Sequence, residues 1–276
     1  MPAHAIEVEN LEKYFPPAIA GWRALLHPVA RLTERALAGV TFAVKPGEIV
    51  AIVGENGAGK STLLRVLATL LLPTRGRAAL GGFDVARDPA QVRRALGYHT
   101  GGDEGFYGRL SAEENLRFFA AMNGLLGAEA ARAIARATGL LGLGPALDHQ
   151  VRTLSTGTVH RLGLARALLH EPAVLLLDEP TRSLDPLAAA EFRRFLKEEL
   201  VRERGTTLLF SSHTLSEVEE MADRVVLLDA GRLIACDSPR GLRTSAGVAS
   251  LLEALEKLSH AGHAAAPGAA SPGAQA

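Results

Sequence analysis

A sequence with one cysteine, balanced charges and no long apolar run excludes several kinds of protein. Its 276 residues include a single cysteine, Cys236, so no internal disulfide can form, and no apolar leader precedes the first acidic residues. We therefore expect a cytoplasmic protein. Lys and Arg together number 30, as do Asp and Glu, and this balance gives no overall attraction to nucleic acid or to an acidic membrane surface. The longest apolar stretches fall far short of the ~18 residues of a membrane span, so a role at a membrane requires a partner.

The most informative feature of the sequence is a glycine-rich loop between two apolar segments, AIVGENGAGKSTLLRVLATLLL at residues 51–72. Residues 54–61 follow the pattern G-x-x-x-x-G-K-S, in which glycines let successive backbone N–H groups point into one cavity and attract phosphate oxygens. Lys60 can reach the β- and γ-phosphates of a nucleotide, and the Ser61 hydroxyl can bind Mg²⁺. The predicted cofactor-binding residues of this segment are Gly54, Glu55, Asn56, Gly57, Ala58, Gly59, Lys60, Ser61 and Thr62.

Polar residues also follow two further apolar runs, AVLLL at 173–177 and TTLLF at 206–210. These runs are typical of strands buried in a parallel sheet, and in a doubly wound α/β fold ligands bind at the carboxyl ends of such strands. Asp178 is then placed to hold Mg²⁺, Glu179 to polarise the attacking water, and His213 to hydrogen-bond the γ-phosphate. The simpler alternatives are two acids that merely end a strand and a histidine in a solvated loop.

The first part of the chain is predicted to form short strands at residues 6–8, 37–44 and 48–53. A helix is predicted over residues 60–72, stopped by Pro73. Residues 16–35 interrupt the first two strands as a broken amphipathic insertion that contains Trp22, which could dock a partner or cover a local apolar patch.

The second part is predicted to begin with a helical subdomain at residues 103–170, which are rich in Ala, Leu and Arg at helical spacing. RVVLLDAGRLIA at 224–235 predicts two strands joined by a turn at residues 229–231. A last helix is predicted at 249–258, followed by a tail of small residues that we expect to be disordered.

Several motifs in a fixed order resemble the nucleotide-binding subunit of ATP-binding cassette (ABC) transporters. They are GENGAGKST (Walker A), LSTGT at 154–158 (the signature), VLLLDEP (Walker B), SLD at 183–185 (the D-loop) and His213 (the switch histidine). The resemblance covers residues 5–245, and residues 246–276 form a C-terminal helix and tail outside it. It implies an α/β P-loop NTPase (RecA-like) core sheet with an N-terminal antiparallel β subdomain and an inserted α-helical subdomain.

The resemblance also implies roles for individual residues. From the residues alone, Ser155 is the N-cap of an amphipathic helix, whose N-terminus could attract an anion. The family pattern implies that Ser155 and Gly157 instead face the γ-phosphate bound by a second subunit, and that Asp185 contacts the opposite protomer. Glu179 is similar to the family's general base. Tyr14 is similar to the aromatic residue that stacks on adenine, although a tyrosine packed at a strand end is an equal alternative.

Two departures from the family pattern are evident. The loop that usually carries a glutamine reads GYHTGGDEGFYGRL, with Gly101 or Gly102 in its place, and Asp103 or Glu104 could replace its contact or form a solvated turn. In the signature, Thr156 and Thr158 replace the usual glycine and glutamine. The LSTG and LLLPTRG segments resemble the branch that serves ABC-2 type exporters.

The resemblance implies an ATPase that uses ATP and Mg²⁺, dimerises with a second ATP-binding subunit and drives a transmembrane permease from the cytoplasmic face, in the direction of export. An alternative is a soluble ABC ATPase acting on ribosomes or nucleic acid, but one cassette with balanced charge disfavours that alternative, and we expect no nucleic-acid partner. A third hypothesis is a nucleotide-gated binding module that barely hydrolyses. We find no N/T-K-x-D segment of the kind that reads guanine, which favours ATP.

Overall fold

The computed structural model describes residues 3–15, 34–101, 105–182 and 184–264. The predicted roles of Trp22, Gly102, Asp103, Glu104, Ser183 and the C-terminal tail fall outside these residues. The strands are β1 Ile6–Phe15, β2 Glu34–Val44, β3 Ile49–Val53, β4 Arg75–Leu80, β5 Phe83–Asp84, β6 Leu96–Thr100, β7 Val174–Asp178, β8 Thr207–Ser211, β9 Arg224–Asp229 and β10 Arg232–Asp237.

The helices lie between and after these strands. They are α1 Lys60–Leu67, α2 Pro89–Ala95, α3 Ala112–Met122, α4 Gly127–Leu140, α5 Thr156–Leu168, α6 Pro186–Phe195, α7 Leu215–Met221, α8 Pro239–Ala246 and α9 Leu251–Ala264. Short 3₁₀ turns occupy Gly144–Ala146 and Val151–Thr153, and a π-helical segment, Leu196–Glu203, continues α6. No helix in the described part of the chain is long and apolar enough to cross a bilayer.

The central sheet has six strands in the order β10-β9-β3-β8-β7-β6. All pairs are parallel except β9 with β10, which forms the predicted hairpin. Strand β3 is buried at every residue because side chains on its two faces enter two separate hydrophobic clusters, Val50 on one side and Ala51 on the other. A strand covered on both faces has no polar side, which explains why its sequence is a continuous apolar run.

The register of the central sheet brings the carboxyl ends of four strands level with one another. Ser211 of β8 lies opposite Ile52 of β3 on one side and Asp178 of β7 on the other. Asp178 in turn lies opposite Thr100 of β6. The polar residues that follow these strands therefore meet at one edge of the sheet, as expected for a doubly wound α/β fold.

A second sheet, antiparallel, has the order β2-β1-β4-β5 and confirms the predicted N-terminal β subdomain. Its first two strands are longer than the short runs predicted from the sequence, and β4 and β5 were not predicted. Strand β4, RGRAAL, begins with exposed polar residues and has only three apolar residues, at its end, so its pairing with β1 determines its extended conformation.

Helices α3, α4 and α5 all lie within residues 103–170, the stretch for which a helical subdomain is predicted. Their apolar faces pack together through residues such as Leu116, Ile134 and Leu162, each at least nine-tenths buried. Helix α3 begins with a capping box in which the Ser111 hydroxyl and the Glu114 carboxylate each accept a backbone N–H. The helical insertion thus has a defined start, and its buried residues belong to the same hydrophobic cluster as one face of the central sheet.

Helix α1 ends at Leu67, so the prediction that it continues to Leu72 is wrong. Thr69 adopts a left-handed backbone with φ of 61°, and the N–H groups of Leu70 and Leu71 both turn back to the carbonyl of Arg65. This reversal closes the helix before Pro73 is reached. At the other end of the chain, α9 extends beyond the predicted residues 249–258.

Candidate nucleotide-binding and catalytic site

The glycines of the loop between β3 and α1 are required by close packing. Gly54 has φ of 152°, and a Cβ atom there would lie 2.2 Å from the carbonyl oxygen of Leu228. Gly59 has φ of 102°, and its Cβ would lie 2.5 Å from the carbonyl oxygen of Ala36. At both positions the backbone has a positive φ and other backbone atoms lie too close for a Cβ atom, so only glycine fits.

The turn between β9 and β10 supports this loop through backbone hydrogen bonds. The N–H of Gly231 donates to the carbonyl of Ala58 at 3.1 Å, and the carbonyl of Gly231 accepts from the N–H of Ala38 at 2.7 Å. The phosphate loop is therefore held between the hairpin and strand β2 of the antiparallel sheet.

Lys60 is buried inside the loop, with 6% of its surface exposed. Its Nζ donates to the carbonyl oxygens of Gly54 at 2.7 Å and Glu55 at 2.9 Å. Burial lowers the pKa of Lys60 below its ordinary value, while the nearby carboxylates of Glu179 and Asp178 act in the opposite direction. The ammonium group is thus kept where a phosphate could replace the two carbonyl contacts.

Three oxygen-bearing side chains meet next to the loop. The Ser61 hydroxyl lies 3.2 Å from Oδ1 of Asp178, and the same Oδ1 accepts a 2.6 Å hydrogen bond from the hydroxyl of Ser211. Hydroxyl and carboxylate oxygens are the ligands that Mg²⁺ prefers. The donor set therefore fits the predicted metal site, with Ser61 and Asp178 as its protein ligands.

Glu179 has an unusual backbone that directs its side chain toward the same edge. Its φ is 50°, and its N–H donates to the Ser211 hydroxyl at 2.9 Å. Its Oε1 lies 2.5 Å from Nε2 of His213, and its Oε2 lies 3.1 Å from Nη1 of Arg182. Left-handed backbone at a non-glycine residue has a conformational cost, which the surrounding contacts must offset. The structure thus brings Lys60, Ser61, Asp178, Glu179 and His213 together.

A buried carboxylate behind the site was not predicted from the sequence. Glu217, 2% exposed, accepts hydrogen bonds from the hydroxyls of Thr181 at 2.9 Å and Ser212 at 2.5 Å. These bonds join the segment after β7 to the segment after β8. The only signal in the sequence was the pair of serines after TTLLF, which indicates a polar end to this strand. No sequence pattern indicated that Glu217 of α7 would contact this end.

Ser155 caps α5, as predicted, because its hydroxyl accepts the N–H of Thr158 at 3.2 Å. Asp185 is likewise the N-cap of α6 and accepts from the N–H groups of Leu187 and Ala188. Ser155 and Asp185 are both exposed, and a Cβ at Gly157 would lie 3.9 Å from Leu184 of the D-loop. These contacts lie within one chain, and the roles across a dimer stay predictions.

Tyr14 lies in β1 of the antiparallel sheet. Its hydroxyl donates to Oε2 of Glu12 at 3.1 Å, and the Arg35 guanidinium lies 5.7 Å from its ring centre. This is the strand packing that the sequence offered as an alternative, and stacking on adenine stays a prediction.

Gly101 has no room for a side chain. Its N–H donates to the carbonyl of Asp178 at 3.1 Å, and a Cβ at this position would lie 2.5 Å from the carbonyl oxygen of Glu179. The same Cβ would lie 3.1 Å from Nε2 of His160, an α5 residue that is 2% exposed. A glutamine side chain therefore cannot begin at residue 101 in this arrangement.

His160 forms a buried pair with His99 of β6, with Nδ1 of His160 3.4 Å from Nε2 of His99. Burial, His160 and Arg166 lower the pKa of His99 to about 3, and burial lowers the pKa of His160, which the Gly101 backbone partly offsets. Within the described residues, neither Nδ1 of His99 nor Nε2 of His160 has a well-aligned hydrogen-bond partner. Both rings are neutral at physiological pH, and the pair was not predicted from the sequence.

Comparisons of the sequence and the fold with known proteins all find ABC transporter proteins. Residues 37–182 match the model of a protein family described as ABC transporter. NatA of Bacillus subtilis (strain 168), an ABC transporter ATP-binding protein, is 38% identical over 200 residues, which cover 72% of this chain and 80% of NatA.

Two further comparisons differ in how much they cover. YbhF of Escherichia coli (strain K12), a probable multidrug ABC transporter ATP-binding protein, is 40% identical over 204 residues, which cover 74% of this chain but 35% of YbhF. A solved structure of the ATP-binding subunit of an ABC transporter has a TM-score of 0.76 and 31% sequence identity, and covers 92% of this chain and 99% of that chain.

Proposed function

The chain belongs to the ABC transporter family, and on this premise we propose that it hydrolyses ATP to drive a separate membrane-spanning partner. The observation that carries the proposal is the meeting of Lys60, Ser61, Asp178, Glu179 and His213 at one edge of the central sheet. A phosphate-binding cation, oxygen ligands for Mg²⁺ and a carboxylate that can orient the attacking water are recurring parts of sites that transfer a phosphoryl group to water, and His213 adds a hydrogen-bond donor beside them.

Each group has a defined part in this proposal. Backbone N–H groups of the loop and the Lys60 ammonium bind the phosphates, at the N-terminus of α1. Mg²⁺, when bound by Ser61 and Asp178, neutralises charge on the phosphate oxygens. Glu179 accepts a proton from the attacking water, and His213, beside it, donates a hydrogen bond to the γ-phosphate.

We propose that two cassettes form a head-to-tail dimer on ATP. The exposed N-cap of α5, with Ser155 and Gly157, would face the nucleotide of the other protomer, and Asp185 would contact that protomer. The exposure of Ser155 and Asp185 at helix N-termini supports this arrangement, since the N-terminus of a helix attracts anions. Tyr14 would stack on the adenine.

The partner is proposed to be a transmembrane permease, with the ATPase bound at the cytoplasmic face of the membrane and cargo moved outward. The signature and the LLLPTRG segment, which resemble ABC-2 exporters, support this direction, as does the multidrug description of YbhF.

The first test compares ATP hydrolysis by the wild-type protein and by Glu179→Gln, with Mg²⁺. We expect the substitution to lower phosphate release by about a hundredfold or more, to a small residual rate, while ATP binding, measured by filter retention, is kept. Undiminished hydrolysis by the variant would remove Glu179 as the base, and no hydrolysis by the wild type would support a nucleotide-gated binding module instead.

The second test identifies the partner. Tagged Glu179→Gln protein is expressed in its native host, held with ATP and Mg²⁺, and purified from solubilised membranes. We expect a multi-span protein to co-purify in stoichiometric amount and to be lost when Lys60→Ala is added. Recovery with ribosomes or nucleic acid would favour the alternative of a soluble ABC ATPase.

A further inference from the structure

The carboxylate of Glu179 is held at both of its oxygen atoms, by two different side chains. His213 contacts Oε1 at 2.5 Å, and Arg182 contacts Oε2 at 3.1 Å. The Glu179 side chain is 20% exposed, whereas that of Arg182 is 77% exposed. The two oxygens are therefore not equivalent, because one faces a histidine that belongs to the reaction site and the other faces an exposed guanidinium.

The backbone fixes this geometry. The N–H of Arg182 donates to the carbonyl of Glu179 at 3.2 Å, which closes a turn over residues 179–182. At its start, Glu179 is held by the Ser211 hydroxyl and has a left-handed backbone. Because both ends of the turn are held by hydrogen bonds, the side chains of Glu179 and Arg182 extend from the same side of the turn. Only rotation about their own side-chain bonds remains free.

Arg182 also lines the cavity in which the reaction would take place. Glu179, Arg182, His213 and Thr214 share this cavity of about 330 Å³ with Asn56 of the phosphate loop. Glu179 follows Asp178 directly, so two carboxylates and the phosphates of a nucleotide would repel one another here. If no cation contacted Oε2, this repulsion would favour a conformation in which the Glu179 carboxylate turns outward into solvent.

We propose that Arg182 is a positioning residue for Glu179, which holds Oε2 so that Oε1 faces the attacking water; this inference rests on the proposed function. In the reaction, Oε1 takes one proton of the water, the water oxygen bonds to the γ-phosphorus, and the bond from that phosphorus to the bridging oxygen breaks as ADP leaves. Arg182 exchanges no proton or electron. Its charge fixes the direction from which the proton is taken.

The test is Arg182→Ala. Loss of an exposed ion pair should lower kcat by about fivefold, with the Kd for ATP and the thermal midpoint unchanged. Arg182→Lys should recover part of the rate, because a cation can still reach Oε2. The control is Arg202→Ala, which removes an exposed arginine from its ion pair with Glu198 on the π-helical segment. It should leave kcat unchanged.

A double-variant comparison separates positioning from a structural role. In the Glu179→Gln background the residual rate should not fall further when Arg182→Ala is added, because there is no carboxylate left to hold. A further fall there, an unchanged or raised kcat for Arg182→Ala alone, or an equal loss of ATP affinity would each overturn the inference. If Glu179→Gln hydrolyses ATP normally, the proposed function itself fails, and that outcome is recognisable without any Arg182 variant.

Discussion

The hydroxyl of Ser61 lies 3.2 Å from Oδ1 of Asp178, although the two residues are 117 positions apart in the chain. Ser61 is the second residue of helix α1, directly after the phosphate loop, and Asp178 ends strand β7. The contact exists because the ends of β3 and β7 lie level at one edge of the sheet, with Ser211 of β8 between them. Removing either oxygen should affect the metal rather than the fold.

We therefore predict that Ser61→Ala weakens ATP binding in the presence of Mg²⁺ by about tenfold or more, while binding in EDTA changes little. A titration with a fluorescent ATP analogue, with and without Mg²⁺, measures both quantities. Ser216→Ala, which removes an exposed hydroxyl from α7, is the control and should bind as the wild type does. Equal weakening in EDTA would contradict the metal assignment.

A second prediction concerns the signature. Ser155→Arg and Lys60→Ala protomers should each be inactive alone. In a mixed dimer, one site combines the intact loop of the first protomer with the intact α5 N-terminus of the second. ATPase activity should therefore rise on mixing and be greatest near equal amounts of the two variants. If each site were complete within one chain, every mixing ratio would be inactive.

A third prediction follows from the buried imidazole of His99, whose pKa is lowered to about 3. The unfolded chain takes up a proton on this side chain below pH ~6.5, while the folded chain does not, so stability is full above that pH and is lost as the pH falls toward 3. Between pH 7.5 and 5 this loss amounts to about 2 kcal/mol.

His99→Leu should remove that part of the acid destabilisation, as measured by urea unfolding at the two pH values. His149→Leu, which replaces an exposed histidine, should keep the wild-type difference. An unchanged difference for His99→Leu would mean that the ring is protonated in the folded protein.

A fourth prediction concerns Gly101, where a Cβ would lie 2.5 Å from the carbonyl oxygen of Glu179. Gly101→Ala should cost about 1–3 kcal/mol of stability and lower kcat, because the clash is with the backbone of the proposed base. Thermal unfolding and ATPase assays measure the two effects. Gly139→Ala in α4, where a Cβ meets nothing within 4 Å, should be neutral or slightly stabilising. A fully active, stable Gly101→Ala protein would show that the loop shifts freely.

The features that the sequence predicted well depend on short stretches of chain. The phosphate loop, the cap at Ser155 and the turn at residues 229–231 are each set by neighbouring residues, and the buried strands β3, β7 and β8 have continuous apolar runs. Local propensity and solvent exclusion act on such segments directly.

The features that were missed depend on distant partners. Strand β6 has the sequence LGYHT, without an apolar run, and is extended because it pairs with β7. Helix α1 stops early because of one left-handed residue, Thr69. The ion pair of Arg182 with Glu179 and the pair of His99 with His160 require the folded backbone, so no spacing in the sequence indicates them.

The support of the phosphate loop by Gly231 has a consequence for protein synthesis. Residues 54–61 leave the ribosome early, but both sheet neighbours of β3, strands β8 and β9, and the N–H that reaches Ala58 come from residues beyond 206. A nascent chain that has not yet emerged past the β9–β10 hairpin contains the phosphate-binding motif but lacks strands β8 and β9 and the Gly231 N–H that support it. The phosphate loop therefore reaches its supported conformation only when nearly the whole cassette has been synthesised.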